Sequence, residues 1–224
     1  MPDETRLHET VEFAENPEPR CPCILLLDTS SSMKGAALDG LQQGLLAFQS
    51  SVAKNPLAAR RVEVAVVTFD SEVKVVQDFV TVDQFHPPVL TAQGRTRMGS
   101  GILTALDMIR ERKATYKANG VAYYRPWVFM ITDGEPQGDP DEVVRQAAER
   151  IKLEEDAKRV VFFAVGVESA NMEWLKSIVV RPPSKLIGLD FAGMFVWLSQ
   201  SVQRVSQSQL GDQVALPPAG WGTV

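Results

Sequence analysis

The sequence predicts an α/β domain built on a mostly parallel sheet with helices on both faces. Three observations carry this expectation. Short apolar or β-branched runs alternate along the chain with segments of helical periodicity. The runs are apolar at consecutive rather than alternate positions, as in strands buried on both faces. Two of them end in an aspartate followed by turn-forming residues, and ligands gather at such strand ends in open α/β sheets. At 224 residues, and ~100–200 residues per domain, the chain amounts to one large domain or one domain with tails.

The elements follow in order. Ile24 to Leu27 is too short for a helix and suits a buried strand. From Lys34 to about Asn55 the positions Leu38, Leu41, Leu45, Phe48 and Val52 recur at spacings of three and four, giving an amphipathic helix closed by Pro56. Arg61 to Phe69 is β-branched and reads as a strand; Asp70-Ser71 is a turn, and Val73 to Val76 follows as its hairpin partner. Thr81 to Gly99, with Pro87 and Pro88, is a long loop, and such loops in compact domains are commonly functional. A helix from Ser100 to Lys117 carries Ile102, Leu103, Leu106 and Ile109 on one side. Trp127 to Thr132 is a strand stopped by Asp133-Gly134, Asp141 to Asp156 a helix with acidic residues in its first turn, and Val160 to Val165 a strand. A short helix from Asn171 to Val179, a short strand from Lys185 to Gly188 and a last helix from Phe191 to Val205 complete the set, with Phe195 and Trp197 expected in the core. Residues 1–20 read as an N-terminal extension, 21–209 as the domain, and 210–224 as a tail that is either free or docked through Trp221.

Composition removes several function classes. Lys and Arg total 23 against 28 Asp and Glu, a net charge of −5, so no basic excess exists to neutralise nucleic-acid phosphates. The longest apolar run, Val160 to Val167, falls far short of the ~20 residues that span a bilayer. Met1 to Arg20 lacks a basic-then-apolar signal pattern, so the expected location is the cytoplasm. Cys21 and Cys23 share a strand face at a separation unsuited to a disulfide, and no further Cys or nearby His completes a zinc site; both are expected to be small apolar core residues.

The chemistry-bearing residues lie at strand ends. The first strand runs out into Asp28-Thr29-Ser30-Ser31-Ser32 and a later one into Asp133-Gly134-Glu135. If these strands are neighbours their ends lie ~4.8 Å apart, and Asp28 and Asp133 face one small volume. Two such carboxylates raise each other's pKa unless a cation sits between them. Ser30 and Ser32 can offer hydroxyl oxygens as the chain turns, and Thr96 of the long loop a third. An all-oxygen set without His or Cys suits Mg²⁺, Mn²⁺ or Ca²⁺, with Mg²⁺ first. Three neutral hydroxyls leave a divalent ion electrophilic, with a position for an outside ligand such as a protein partner's Asp or Glu. Helix capping by the serines explains one hydroxyl but not the whole set. Arg95 and Arg97 beside Thr96 either steer an acidic partner or are solvated; Glu135, Asp139 and Asp141 on the same rim read as helix N-terminal charges. His8 and His86 are expected at the surface.

The apolar strand followed by D-x-S-x-S (Asp28, Ser30, Ser32), the loop Thr96 in Gly94-Arg95-Thr96, and Thr132-Asp133-Gly134 after a buried strand resemble the von Willebrand factor A (vWA) domain and its metal-ion-dependent adhesion site (MIDAS) over residues 22–205. The resemblance implies a doubly wound, mostly parallel six-stranded sheet with one antiparallel edge strand, supplied by Val73 to Val76. It implies that Ser30, Ser32 and Thr96 ligate the metal while Asp28 and Asp133 bind directly or through water. Where the family often has Gly, this chain has Ser31 and Arg95. Leu25 to Ser30, Gly99 to Leu106, Thr132 to Pro136 and Met194 to Ser199 are further similar to bacterial stand-alone vWA proteins of the tellurium-resistance-associated TerY type, which implies a bacterial stress setting with kinase or phosphatase partners.

The expected function is therefore a metal-dependent protein-binding module rather than an enzyme. A phosphohydrolase of the haloacid-dehalogenase type needs an acid/base Asp where Ser30 stands; no acidic pair and later Lys mark a phosphoacceptor receiver; no G-x-S-x-G with a usable His marks a serine hydrolase. A metal-dependent phosphohydrolase and a scaffold with a purely structural ion are the alternatives.

Overall fold

The computed structural model describes residues 13–168 and 170–223. Seven strands form one sheet: β1 (Cys21–Asp28), β2 (Val62–Phe69), β3 (Val73–Thr81), β4 (Trp127–Thr132), β5 (Val161–Gly166), β6 (Ser184–Leu186) and β7 (Gly222–Thr223). Their order is β3-β2-β1-β4-β5-β6-β7, with β2, β1, β4, β5 and β6 parallel and the two edges antiparallel. The winding reverses at β1, which has β2 on one side and β4 on the other, so the crevice expected of a doubly wound sheet opens between the ends of β1 and β4.

Side chains alternate across this sheet and build two cores. Leu25, Leu27, Val64, Val66, Phe129 and Ile131 pack under α1 (Ala36–Ala53) and α6 (Phe191–Gln207). Ile24, Leu26, Ala65, Val67, Val128 and Met130 pack under α3 (Met98–Ala118), α4 (Asp141–Asp156) and α5 (Met172–Ile178). Such burial on both faces is why β1 and β4 are apolar at every core position. Gly40 and Gly44 let α1 approach α6 closely: a Cβ at Gly44 would come within 2.2 Å of Phe195 Cδ2. Cys21 and Cys23 are free, buried thiols, and burial pushes Cys21 up to about 12, which makes it inert. Phe195 and Trp197 are core residues. Among the described residues no helix is long and apolar enough to cross a membrane.

Four features correct or extend the sequence reading. The sheet has seven strands, not six, because the tail returns: Trp221 is buried against Trp197 and Phe129, and Thr223 pairs with Lys185. The edge strand extends from Val73 through Thr81, well past Val76. Pro56 does not merely close α1; it opens α2 (Pro56–Arg61), with Asn55 as N-cap accepting from Ala58 N–H at 3.0 Å. Finally, residues 13–20 are packed down by a buried ion cluster. Glu63 Oε1 accepts from Arg20 Nε at 2.8 Å, both Glu63 oxygens accept from Arg112 at 2.9 Å, and Tyr116 donates its hydroxyl to the same carboxylate. Phe13 lies over the two guanidinium groups.

Candidate metal centre at the ends of strands 1 and 4

Parallel pairing sets Leu27 opposite Ile131, so the next residues, Asp28 and Thr132, emerge side by side. Asp28 is fully buried. Its Oδ1 accepts Ser30 N–H at 2.8 Å, bending the chain, and its Oδ2 accepts the Thr132 hydroxyl at 2.6 Å. A one-turn 3-10 helix at Ser31–Met33 then brings Ser32 back over the strand end. Ser30 Oγ and Ser32 Oγ lie 3.0 Å apart, and Ser32 Oγ donates to Asp133 Oδ1 at 2.8 Å across 101 positions of sequence. Four of the five expected site residues therefore converge through a continuous set of hydrogen bonds between neighbouring segments.

Thr96 joins by its backbone. Ser31 N–H donates to Gly94 O at 3.1 Å and Gln93 N–H to Thr29 O at 2.8 Å, lashing the long loop to the D-x-S-x-S turn. On its other side the Thr96 carbonyl accepts Gln137 N–H at 3.0 Å from the loop that follows Asp133. Thr96 is 3% exposed, and its hydroxyl makes no hydrogen bond among the described residues but keeps some contact with solvent.

Three further residues brace the site, a role the sequence does not assign them. Thr132 anchors Asp28. Asp70, read only as a turn residue, is a buckle: its carboxylate accepts Glu72 N–H at 2.9 Å, its carbonyl accepts Arg97 N–H at 2.9 Å, and Thr29 Oγ1 and Gln93 Nε2 reach Oδ2 at 3.4 and 3.3 Å. Asp139, read as a helix N-terminal charge, serves the N-terminus of α3: its side chain is fully buried, accepts Ser100 N–H at 3.0 Å and the Ser100 hydroxyl, and meets Arg97 Nε at 3.4 Å. It thus supplies from a neighbouring loop the cap that α3 lacks from its own preceding residue. A strand-end Asp followed by a turn was the available signal for Asp70, and Pro140 after Asp139 for the second. Arg97 is accordingly committed to Asp139, whereas Arg95 is exposed. Glu135 accepts from Asn171 Nδ2 at 2.5 Å. His86 is exposed, and His8 lies outside the described residues.

The electrostatics of the two carboxylates are set mainly by burial. Burial pushes Asp28 up from 3.8 to about 6 against the lowering pull of its bonds to Ser30 and Thr132, with Asp133 adding a smaller repulsion. Mutual repulsion, the cause anticipated from sequence, is therefore secondary to desolvation. Asp133 is raised for the same main reason, opposed by Ser32 and reinforced by Glu168. Two buried acids, two hydroxyls within 3.0 Å of each other and a third, unpartnered hydroxyl on the adjoining loop fit a hard divalent cation. Among the described residues no group of three or more His, Cys, Asp or Glu is placed to hold a metal, so a softer nitrogen- or sulfur-rich centre has no ligands to use.

A family model for the von Willebrand factor type A domain matches residues 23–188. The chain belongs to the vWA family. Solved vWA-like structures agree with its fold. One is a von Willebrand factor type A protein from Catenulispora acidiphila (13% identity, TM-score 0.63, covering 83% of this chain and 43% of that one). A second is the vWF domain of the type V pili tip protein Mfa5 from Porphyromonas gingivalis (12% identity, TM-score 0.63, covering 88% and 99%). A third is proximal thread matrix protein 1 of the mussel byssus with a zinc-occupied MIDAS motif (16% identity, TM-score 0.53, covering 83% and 48%). At these identities the likeness is one of fold. This vWA chain spans 43% of the Catenulispora protein and about 30% of the pilus adhesin SpaC of Lactobacillus rhamnosus GG. No curated protein matches it.

Proposed function

We propose that this vWA domain is a metal-ion-dependent protein-binding module. Ser30, Ser32 and Thr96 would hold a divalent cation, Mg²⁺ first, with Asp28 and Asp133 bound directly or through water. The observation that carries the reading is the hydrogen bond from Ser32 to Asp133, which ties the turn after β1 to the end of β4 and gathers carboxylate and hydroxyl oxygens at one point. When bound, the ion supplies an electrophilic position for a carboxylate oxygen of a partner's Asp or Glu. The chain's own residues prepare that position. Thr132 and Ser30 N–H fix the Asp28 carboxylate, Asp70 and Asp139 lock the loops on which Thr29 and Thr96 ride, and the exposed Arg95 offers an approaching anion a favourable field. A pilus adhesin and a pilus tip protein among the structures of like fold are in keeping with such a role. A cytoplasmic, bacterial stress setting of the tellurium-resistance type, with kinase or phosphatase partners, is the context proposed on the sequence resemblance alone.

Affinity capture from lysate, with Mg²⁺ or with chelator, read by mass spectrometry beside the Asp28→Ala protein, tests the reading. A partner lost on chelation and with Asp28→Ala supports it. Partner capture indifferent to both overturns it. Metal-dependent phosphate release from a generic ester would favour a phosphohydrolase, and a metal-raised melting temperature with no metal-dependent partner would leave the ion a structural role.

A further inference from the structure

A second site lies at the opposite end of the sheet. Trp127 and Val161 begin β4 and β5, and around them opens a cleft of about 600 Å³, closed on one side by the tail at Val214 and Leu216. That volume is within the ~300–1,000 Å³ of small-molecule pockets. Its walls combine aromatic rings (Tyr123, Trp127 and Phe163) with three cations, Arg125, Lys158 and Arg181, against a single lining carboxylate, Asp212. On a chain of net charge −5, this is a local reversal of sign.

The cations are unequally engaged. Arg181 is paired with Glu155 at 3.1 Å, and that carboxylate also accepts Phe162 N–H. Arg125 gives one N–H to the Glu155 carbonyl at 3.1 Å, but its Nε is buried with no acceptor. An unsatisfied buried donor is costly, so part of this guanidinium is left without compensation in the cleft wall. A smaller hollow of about 160 Å³ adjoins, sharing Phe163 and Arg181, and is lined by Trp221, whose Nε1 is likewise buried without an acceptor.

Lys158 adds an independent sign. It has φ +54, the left-handed conformation at the C-terminal end of α4, where Arg159 N–H bonds Glu154 O and Lys158 N–H bonds Glu155 O. Glycine is the residue this cap favours, since a side chain there is strained. The position instead carries a lysine that lines the cleft and has no acidic partner among the described residues.

We propose that this cleft binds a small planar aromatic anion, its ring along the partly exposed Phe163 and its carboxylate or phosphate held by Arg125 and Lys158. Arginine suits this task because its planar fork both donates to oxyanions and stacks on rings. The site is separate from the metal centre and does not depend on the function proposed for it.

Isothermal titration of the full chain in chelator, with adenosine monophosphate and indole-3-carboxylate as probes, tests the proposal; adenosine and inorganic phosphate serve as controls. At least one ring-bearing anion is expected to bind tenfold or more tighter than either control, and which one distinguishes a phosphate from a carboxylate ligand. Arg125→Met and Lys158→Gly should each weaken that binding at least tenfold. Lys158→Gly should melt no lower than the parent, because it relieves the left-handed strain, so its loss of binding cannot come from unfolding. The proposal is overturned if neither ring anion binds at about 1 mM, a threshold of only ~4 kcal/mol, if inorganic phosphate binds as tightly, or if both substitutions leave binding intact.

Discussion

Replacing Asp28 by Asn should make the metal-free protein more stable while destroying its metal response. Asp28 is wholly buried and its carboxyl sits at about 6 rather than 3.8. Between these values the folded chain keeps a proton that the unfolded chain has released. Stability is therefore lost as pH rises through this window and stays low above it. A shift of about two units corresponds to about 3 kcal/mol at neutral pH, and this is a ceiling because the buried site can relax. Asparagine is isosteric: its Oδ1 can still accept Ser30 N–H, and its amide can donate to the Thr132 oxygen in place of the bond now made to Oδ2. The expected gain is about 1–3 kcal/mol, or several degrees in melting temperature at ~2–4 °C per kcal/mol for a chain of this size. The assay is differential scanning fluorimetry of both proteins in chelator from pH 4 to 8, repeated with Mg²⁺. The difference in melting temperature should open between pH 4 and 6 and then level off, and Mg²⁺ should raise only the parent. A variant that melts lower than the parent in chelator, or a gap independent of pH, would refute the reasoning that desolvation of this carboxylate dominates.

Four other outcomes follow from the geometry. Thr96→Ala removes a hydroxyl that has no partner, so unfolding in chelator should be nearly unchanged while Mg²⁺ affinity, followed by calorimetric titration, falls tenfold or more. Ser32→Ala should lose both affinity and a measurable amount of stability, about 1 kcal/mol, because its bond to Asp133 goes too. Arg20→Met leaves the buried Glu63 with Arg112 as its ion-pair partner and only the Tyr116 hydroxyl beside it, and should cost about 3–5 kcal/mol in urea unfolding. Trp221→Ala should cost about 3 kcal/mol and expose amides of β6 to hydrogen exchange, as the tail loses its anchor on Trp197 and Phe129.

Much of the architecture was legible because it rests on local pattern. A run such as Ile24 to Leu27 can be buried on both faces only in the middle of a sheet, and β1 occupies that place. Leu41, Leu45, Phe48 and Val52 fall on one helix face by period alone, and all four are buried. The residues nominated as candidate metal ligands could be picked out for the same reason, since each follows the end of a buried strand or sits in the long loop. What escaped was of two kinds. Some signals were present but overridden: Asn55-Pro56 is an N-cap followed by a first-turn proline, and it was read only as a stop. Others have no local signature at all. A two-residue strand such as Gly222–Thr223 shows no period, and the partnership of Arg20 with Glu63 joins positions 43 apart.

The sequence alone determined that the chain forms alternating strands and helices, and that Asp28, Ser30, Ser32, Thr96 and Asp133 stand at turns where oxygen atoms can gather. These are properties of neighbours within a few residues, and side-chain periodicity encodes them directly. Only the tertiary structure decided that β1 lies beside β4, that Thr132, Asp70 and Asp139 brace the cradle, that the tail completes the sheet, and that Arg125 and Lys158 line one cleft at the far end. Those outcomes depend on strand order and on which distant surfaces exclude water together, and no short stretch of sequence carries that information.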